Sequence, residues 1–99
     1  MIVVTGEFRF TEGRDGDVRA AMIDMMNETA KEAGCLHYRF YHDVENPGAY
    51  RVYEEWESDA HLADHAASAH MQVFRSRLKE IGVVSRLVKK MEAGPATEI

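Results

Sequence analysis

The sequence predicts a single α+β domain in which one antiparallel, four-stranded sheet carries helices on one face. Three observations support this. Four short stretches alternate apolar and polar residues with the period of a strand. The stretches between them repeat apolar residues every three or four positions, as a helix with one buried side does. Glycine, proline or a capping serine stands at most of the junctions. Ninety-nine residues suit one domain. A chain of that length buries only about 60–70% of its unfolded surface, so any pocket competes with the core for space.

Residues 2–10 make the first strand, with Ile2, Val4, Phe8 and Phe10 on one face and Val3, Thr5, Glu7 and Arg9 on the other. Residues 11–16 turn. Residues 16–33 make the first helix, whose buried stripe is Val18, Met22, Met25, Met26, Thr29 and Ala33. Asp24, Glu28, Lys31 and Glu32 fall on its wet side, and Gly34 ends it with a left-handed cap. A methionine stripe is more often core than pocket, but Met22 also suits the wall of an irregular cavity. Residues 35–43 make the second strand, Leu36, Tyr38 and Phe40 facing one way and His37, Arg39 and Tyr41 the other. The turn Glu45-Asn46-Pro47-Gly48 leads into an antiparallel third strand, residues 49–57. There Tyr50, Val52, Glu54 and Trp56 share a face.

Ser58 is placed to cap a short helix reaching about Ala67, and Ser68 to cap another through Met71, Phe74, Leu78 and Ile81. Gly82 stops the second of these. Residues 83–92 make the last strand, with Val83, Leu87 and Met91 opposing Val84 and Val88. Residues 93–99 form a loose tail beyond the domain, which spans residues 2–92. Strand, helix, strand, strand, helix pair, strand is the ferredoxin-like βαββααβ order. Helices then cover one sheet face, and the half-apolar open face is expected to meet a second copy of the chain.

A formal charge of −5 with scattered basic residues argues against nucleic acid as a partner. No apolar run is long enough to span a membrane. The start, Met1 to Val4, lacks a basic region and cleavage site, so it reads as strand rather than signal peptide, and the cytoplasm is the expected location. Cys35 stands alone, which leaves no internal disulfide. In an apolar strand it reads as an inert small hydrophobe, although His37 two residues on could serve a reactive thiol.

The chemistry concentrates in residues 53–70, which hold the only tryptophan and three of the five histidines. Glu54 alternates onto the face of Val52 and Trp56. Burial there would raise its pKa and make it a possible general base, against the plainer reading of an ion pair with a residue such as Arg86. His61 and His65 stand four apart with Glu57 four before His61, a spacing that can hold a metal. Without an HExxH motif or a nearby cysteine, a solvated helix face explains it better, and no metal is expected. His65 and His70 bracket the break between the two helices. Such histidines can bond loose backbone groups or line a cavity mouth and move protons near neutral pH. No phosphate loop, catalytic triad, flavin or nicotinamide fingerprint is present.

Taken together, Gly34-Cys35-Leu36-x-Tyr38, Asn46-Pro47, Tyr53-Glu54-x-Trp56, His65-x-x-Ser68-x-His70 and Phe74 resemble the antibiotic biosynthesis monooxygenase family of dimeric α/β-barrel proteins. The resemblance covers about residues 2–92. It implies a homodimer whose sheets close face to face, and a pocket in each subunit between sheet and helices. It implies a monooxygenase that needs no cofactor and oxidises a small aromatic, quinol-type substrate with molecular oxygen. His65, Glu54, His70 and Trp56 are its expected catalytic residues, with Tyr38, Tyr50, Phe74 and Met22 lining the substrate. The haem-degrading branch carries an Asn in the first strand and a ligating His in the later helix; this chain has Glu7 and no His in residues 71–81. Two alternatives stand beside the oxygenase. One is an isomerase of a small phosphorylated dione, using Arg39, Arg51 and Arg86, and the other is a non-catalytic dimeric small-molecule binder.

Overall fold

The computed structural model describes residues 1–99. The elements run β1 Ile2–Phe10, α1 Asp15–Thr29, β2 Cys35–His42, β3 Ala49–Trp56, α2 Asp59–Ala66, α3 Ala69–Ile81 and β4 Val83–Glu92. All strand pairs are antiparallel, in the order β2-β3-β1-β4. This is the ferredoxin-like α+β arrangement that the alternation predicts, with α1 and α3 packed together over one sheet face. The residues after Glu92 carry no regular secondary structure.

The even residues of β1 and β3 bury themselves against the helices, so the core runs from Ile2, Val4, Phe8 and Phe10 through Val52 and Trp56 to Met22, Met25, Phe74 and Leu78. Both helix starts in the second half are capped as their serines suggest. The Ser58 hydroxyl accepts from the His61 backbone N–H at 3.2 Å, and that of Ser68 from Met71 at 3.2 Å. Gly82 ends α3 with φ of 103°. Gly6 lets β4 lie close, because a Cβ there would come within 2.4 Å of the Leu87 carbonyl oxygen.

Three local expectations need correction. Helix α1 ends at Thr29, not residue 33. Beyond it the chain tightens into i→i+3 bonds, Lys31 N to Glu28 O at 3.2 Å and Glu32 N to Thr29 O at 3.0 Å. Ala33 is therefore exposed, and Glu32 turns inward instead of lying on a wet helix face. In β2 the register shifts between Cys35 and His37, so Cys35 pairs with Trp56 on the inner face and Leu36 becomes the extra, exposed residue. A second shift between Arg9 and Phe10 pairs Phe10 with Val83. Val83 then lies inward with Val88, Val84 is left exposed, and Leu87 and Met91 stay on the open face.

Candidate active site

Strand β3 supplies the centre of the site. Glu54 pairs with Val4 on one side and Tyr38 on the other, which sets a carboxylate in the middle of the covered sheet face. It is 6% exposed. Burial is the main reason its carboxyl is pushed up to about 7; the Glu32 charge adds to this, while Trp56 and Arg86 work against it. No Arg86–Glu54 ion pair forms, and the Arg86 guanidinium instead lies 5.7 Å over the Phe8 ring. The direct partner is Trp56, whose Nε1–H donates to Glu54 Oε1 at 2.9 Å.

Trp56 also packs on His65, with ring centroids 4.7 Å apart, and Tyr38 approaches the same imidazole to 5.2 Å. His65, in the last turn of α2, is 2% exposed. Its Nδ1 lies 2.6 Å from Glu32 Oε2, while its Nε2 is buried with no hydrogen-bond partner. Burial pushes the imidazole below its ordinary pKa, against the pull of Glu32. His70, at the start of α3, reaches the same Glu32 oxygen through Nε2 at 3.0 Å. Burial and the Glu54 and Glu32 charges raise the Tyr38 hydroxyl far above its usual range, so it stays a neutral phenol.

A cavity of about 70 Å³ lies between sheet and helices, walled by Tyr38, Phe40, Glu54, Met71, Phe74 and Arg86 among others. It holds roughly two waters. The residues expected at the site thus fall into groups. Glu54, Trp56, His65, His70 and Tyr38 form one connected cluster, and Phe74 joins it through the cavity. Met22 and Tyr50 do not; they line a groove of about 340 Å³ between α1 and β2, with Phe40 as the shared wall. Tyr50 is bound there to Asp15, its hydroxyl donating at 2.8 Å, and is pushed up to about 12 by burial and that acidic partner. Arg39 lines this groove too, Arg51 lines one on the open sheet face, and the Arg86 guanidinium lies over Phe8 at the wall of the covered cavity, so the three arginines do not converge on a phosphate.

Glu32 is the site residue that sequence reasoning missed. Helical periodicity sets it among solvated side chains, and only the early end of α1 brings it inward. The available signal was Gly34, whose φ of 78° marks a chain reversal two residues later. His61 is absent from the cluster, its Nδ1 lying 2.8 Å from Ser58 Oγ. Glu32, His65 and His70 do present three potential metal donors within 4.8 Å of one another. However, neighbouring ligands on tetrahedral zinc stand roughly 3.3 Å apart, and 2.6 Å between Glu32 and His65 is hydrogen-bond spacing. The carboxylate oxygen itself is the point on which both imidazoles converge.

A family model for antibiotic biosynthesis monooxygenase matches residues 1–77. The chain belongs to this family. The match includes every residue of the Glu32–Glu54–Trp56–His65–His70 cluster. No curated protein matches the chain. Among solved structures, a candidate antibiotic biosynthesis monooxygenase of Deinococcus radiodurans superimposes with a TM-score of 0.94 at 24% identity, covering 100% of this chain and 98% of that one. A Mycobacterium tuberculosis protein gives 0.87 at 22% identity, with 98% of each chain covered. A conserved protein of Methanosarcina mazei gives 0.87 at 24%, over 94% of this chain and 92% of that one. Identities this low speak for the fold. No helix of the chain is long and apolar enough to cross a membrane.

Proposed function

We propose that this member of the antibiotic biosynthesis monooxygenase family is a cofactor-independent oxygenase of a small aromatic substrate of the quinol or anthrone type. The observation that carries the reading is the pair flanking Trp56: a buried imidazole with a free Nε2, and a buried carboxyl whose pKa is pushed up to about 7. Two groups with opposite pKa displacements suit the roles of base and acid. His65 Nε2 takes the acidic proton of the substrate. The resulting electron-rich anion reduces O2, and the two recombine through a new C–O bond to give a peroxide anion. Glu54 donates its proton to the distal peroxide oxygen. Loss of the hydrogen on the oxygenated carbon as a proton returns one proton to Glu54, while the O–O bond breaks to leave a carbonyl and hydroxide. The hydroxide takes the His65 proton and leaves as water. One oxygen atom enters the substrate, the other becomes water, and both site groups end as they began.

Homodimerisation through the open sheet face belongs to the same proposal. Leu87 and Met91 lie uncovered there at 64% and 46% exposure, beside Val3. A second reading, a non-catalytic binder, has its own support. Trp56 is wholly packed, and a cavity of about 70 Å³ is far below the 300 Å³ or more usual for a drug-sized ligand. His65 does not line this cavity, so a quinol reaches its Nε2 only if walls of the cavity move aside.

The test is oxygen uptake by metal-stripped protein with a panel of quinols and anthrones, beside His65→Ala and Trp56→Phe. Uptake above background that both variants reduce supports the oxygenase. Ligand binding with no uptake from any panel member sinks it in favour of the binder.

A further inference from the structure

We infer that Glu32 is a positioning residue that holds His65 as its Nδ1–H tautomer and thereby reserves Nε2 for the substrate. This rests on the reading of His65 as the base. An ionised carboxylate only accepts hydrogen bonds, so the nitrogen 2.6 Å from Glu32 Oε2 must carry the hydrogen. A neutral imidazole has one N–H. With that hydrogen on Nδ1, Nε2 is left with a lone pair, buried and unpartnered. Such atoms are uncommon inside proteins. A third group orienting the base is the arrangement on which nucleophilic and acid–base sites generally rely.

Local backbone bonds support Glu32. The 3₁₀-type bonds after Thr29 and the left-handed backbone of Gly34 fix the turn from both ends. His70 donates from Nε2 to the same oxygen at 3.0 Å, which holds the carboxylate from the far side. Around His65 the other titratable groups are Tyr38 on β2 and His70 and Arg75 on α3. Burial, with His70 and Arg75, disfavours the imidazolium and Glu32 only partly offsets them, so His65 rests neutral with the Glu32 charge beside it. The same negative charge helps keep Glu54 protonated. One carboxylate thus prepares both the base and the acid.

The experiment is ¹⁵N NMR of the histidine side chains in the full chain, which reports tautomer and titration without any substrate. Wild type is expected to show His65 as Nδ1–H. Glu32→Ala should convert it to a tautomer mixture or to Nε2–H. Glu32→Gln should keep Nδ1–H, because the amide oxygen still accepts, but should move the His65 titration to lower pH and cut oxygen uptake at least tenfold. An unchanged His65 tautomer in Glu32→Ala overturns the inference. If Glu32→Ala does not fold, a His65 titration in Glu32→Gln that stays put or moves up overturns it. Failure of the oxygenase reading looks different: the tautomer responds as expected, yet no substrate gives uptake.

Discussion

Trp56 donates its indole N–H to Glu54, two residues back on the same face of the same strand, at 2.9 Å. That bond joins the two halves of the site, because the Trp56 ring also packs on His65. It has a measurable consequence. Trp56→Phe keeps an aromatic ring but removes the donor, so the Glu54 pKa should rise above about 7. The lost bond and smaller ring should together destabilise the fold by roughly 1–2 kcal/mol. Urea unfolding at pH 5 and carboxyl ¹³C NMR titration check both; a Glu54 pKa that falls contradicts the bond's role.

Glu54 makes stability depend on pH in a definite direction. Its carboxyl is raised in the folded state from an ordinary value of 4.5 to about 7, so the folded protein binds the proton more tightly than the unfolded chain. That contribution is complete below pH 4.5 and disappears as pH rises to about 7. Each pKa unit is worth about 1.4 kcal/mol, so Glu54→Gln should flatten a decline of roughly 3 kcal/mol between pH 4.5 and 8. His65 acts oppositely: its pKa is lowered, so its stabilising contribution is present above the ordinary imidazole range and lost in acid. Unfolding curves of wild type and Glu54→Gln across pH 4–9 separate the two. Parallel curves would show that Glu54 does not titrate as described.

The strand and helix order was legible because β1 and β3 alternate cleanly and Ser58, Ser68 and Gly82 punctuate the second half without ambiguity. Glu54, Trp56, His65 and His70 were legible as a group because they crowd one stretch of chain around a strand-to-helix junction. What was hidden depended on contacts distant in sequence. Two separate register shifts move Leu36 and Val84 out of step, and no period-two pattern shows where an extra residue falls. Glu32 became visible only once α1 stopped at Thr29, a choice made by turn bonds and by Gly34 rather than by helical preference. Met22 and Tyr50 share the apolar character of the pocket walls, yet they face another groove, because Phe40 stands between.

Gly34 has two reasons to be glycine. Its φ is 78°, and a Cβ there would meet the His61 ring at 2.2 Å. Gly34→Ala should destabilise by about 1–3 kcal/mol for the backbone alone, with the clash in addition. Combining it with His61→Ala should recover part of the clash component, because the His61 Cβ that remains would still lie 2.7 Å away, and none of the backbone component. Thermal or urea unfolding of the three variants checks this, and strict additivity of the two substitutions contradicts the contact.

The open sheet face predicts the oligomeric state. Leu87→Glu places a charge on an apolar patch uncovered in the single chain and should leave the fold intact while converting a dimer to a monomer. Light scattering coupled to size exclusion reads the mass. A wild-type monomer, or a Leu87→Glu dimer, contradicts assembly through this face.

Cys35 should be a poor nucleophile. Burial, then the Glu32 and Glu54 charges, raise its thiol above the usual range, and its inner-face pairing with Trp56 limits access. Alkylation at pH 7.5 should run at least tenfold slower than for a free thiol, and should accelerate on unfolding in urea.

In the proposed reaction His65 Nε2 removes the substrate proton before oxygen reacts. Anaerobic exchange tests it most directly: an anthrone-type substrate is incubated in D2O with metal-stripped protein, and deuterium entry at the acidic carbon is followed by NMR. Exchange faster than buffer alone, abolished in His65→Ala and reduced in Glu32→Gln, is the predicted result. Oxygen uptake with no anaerobic exchange, or exchange that survives in His65→Ala, would contradict it.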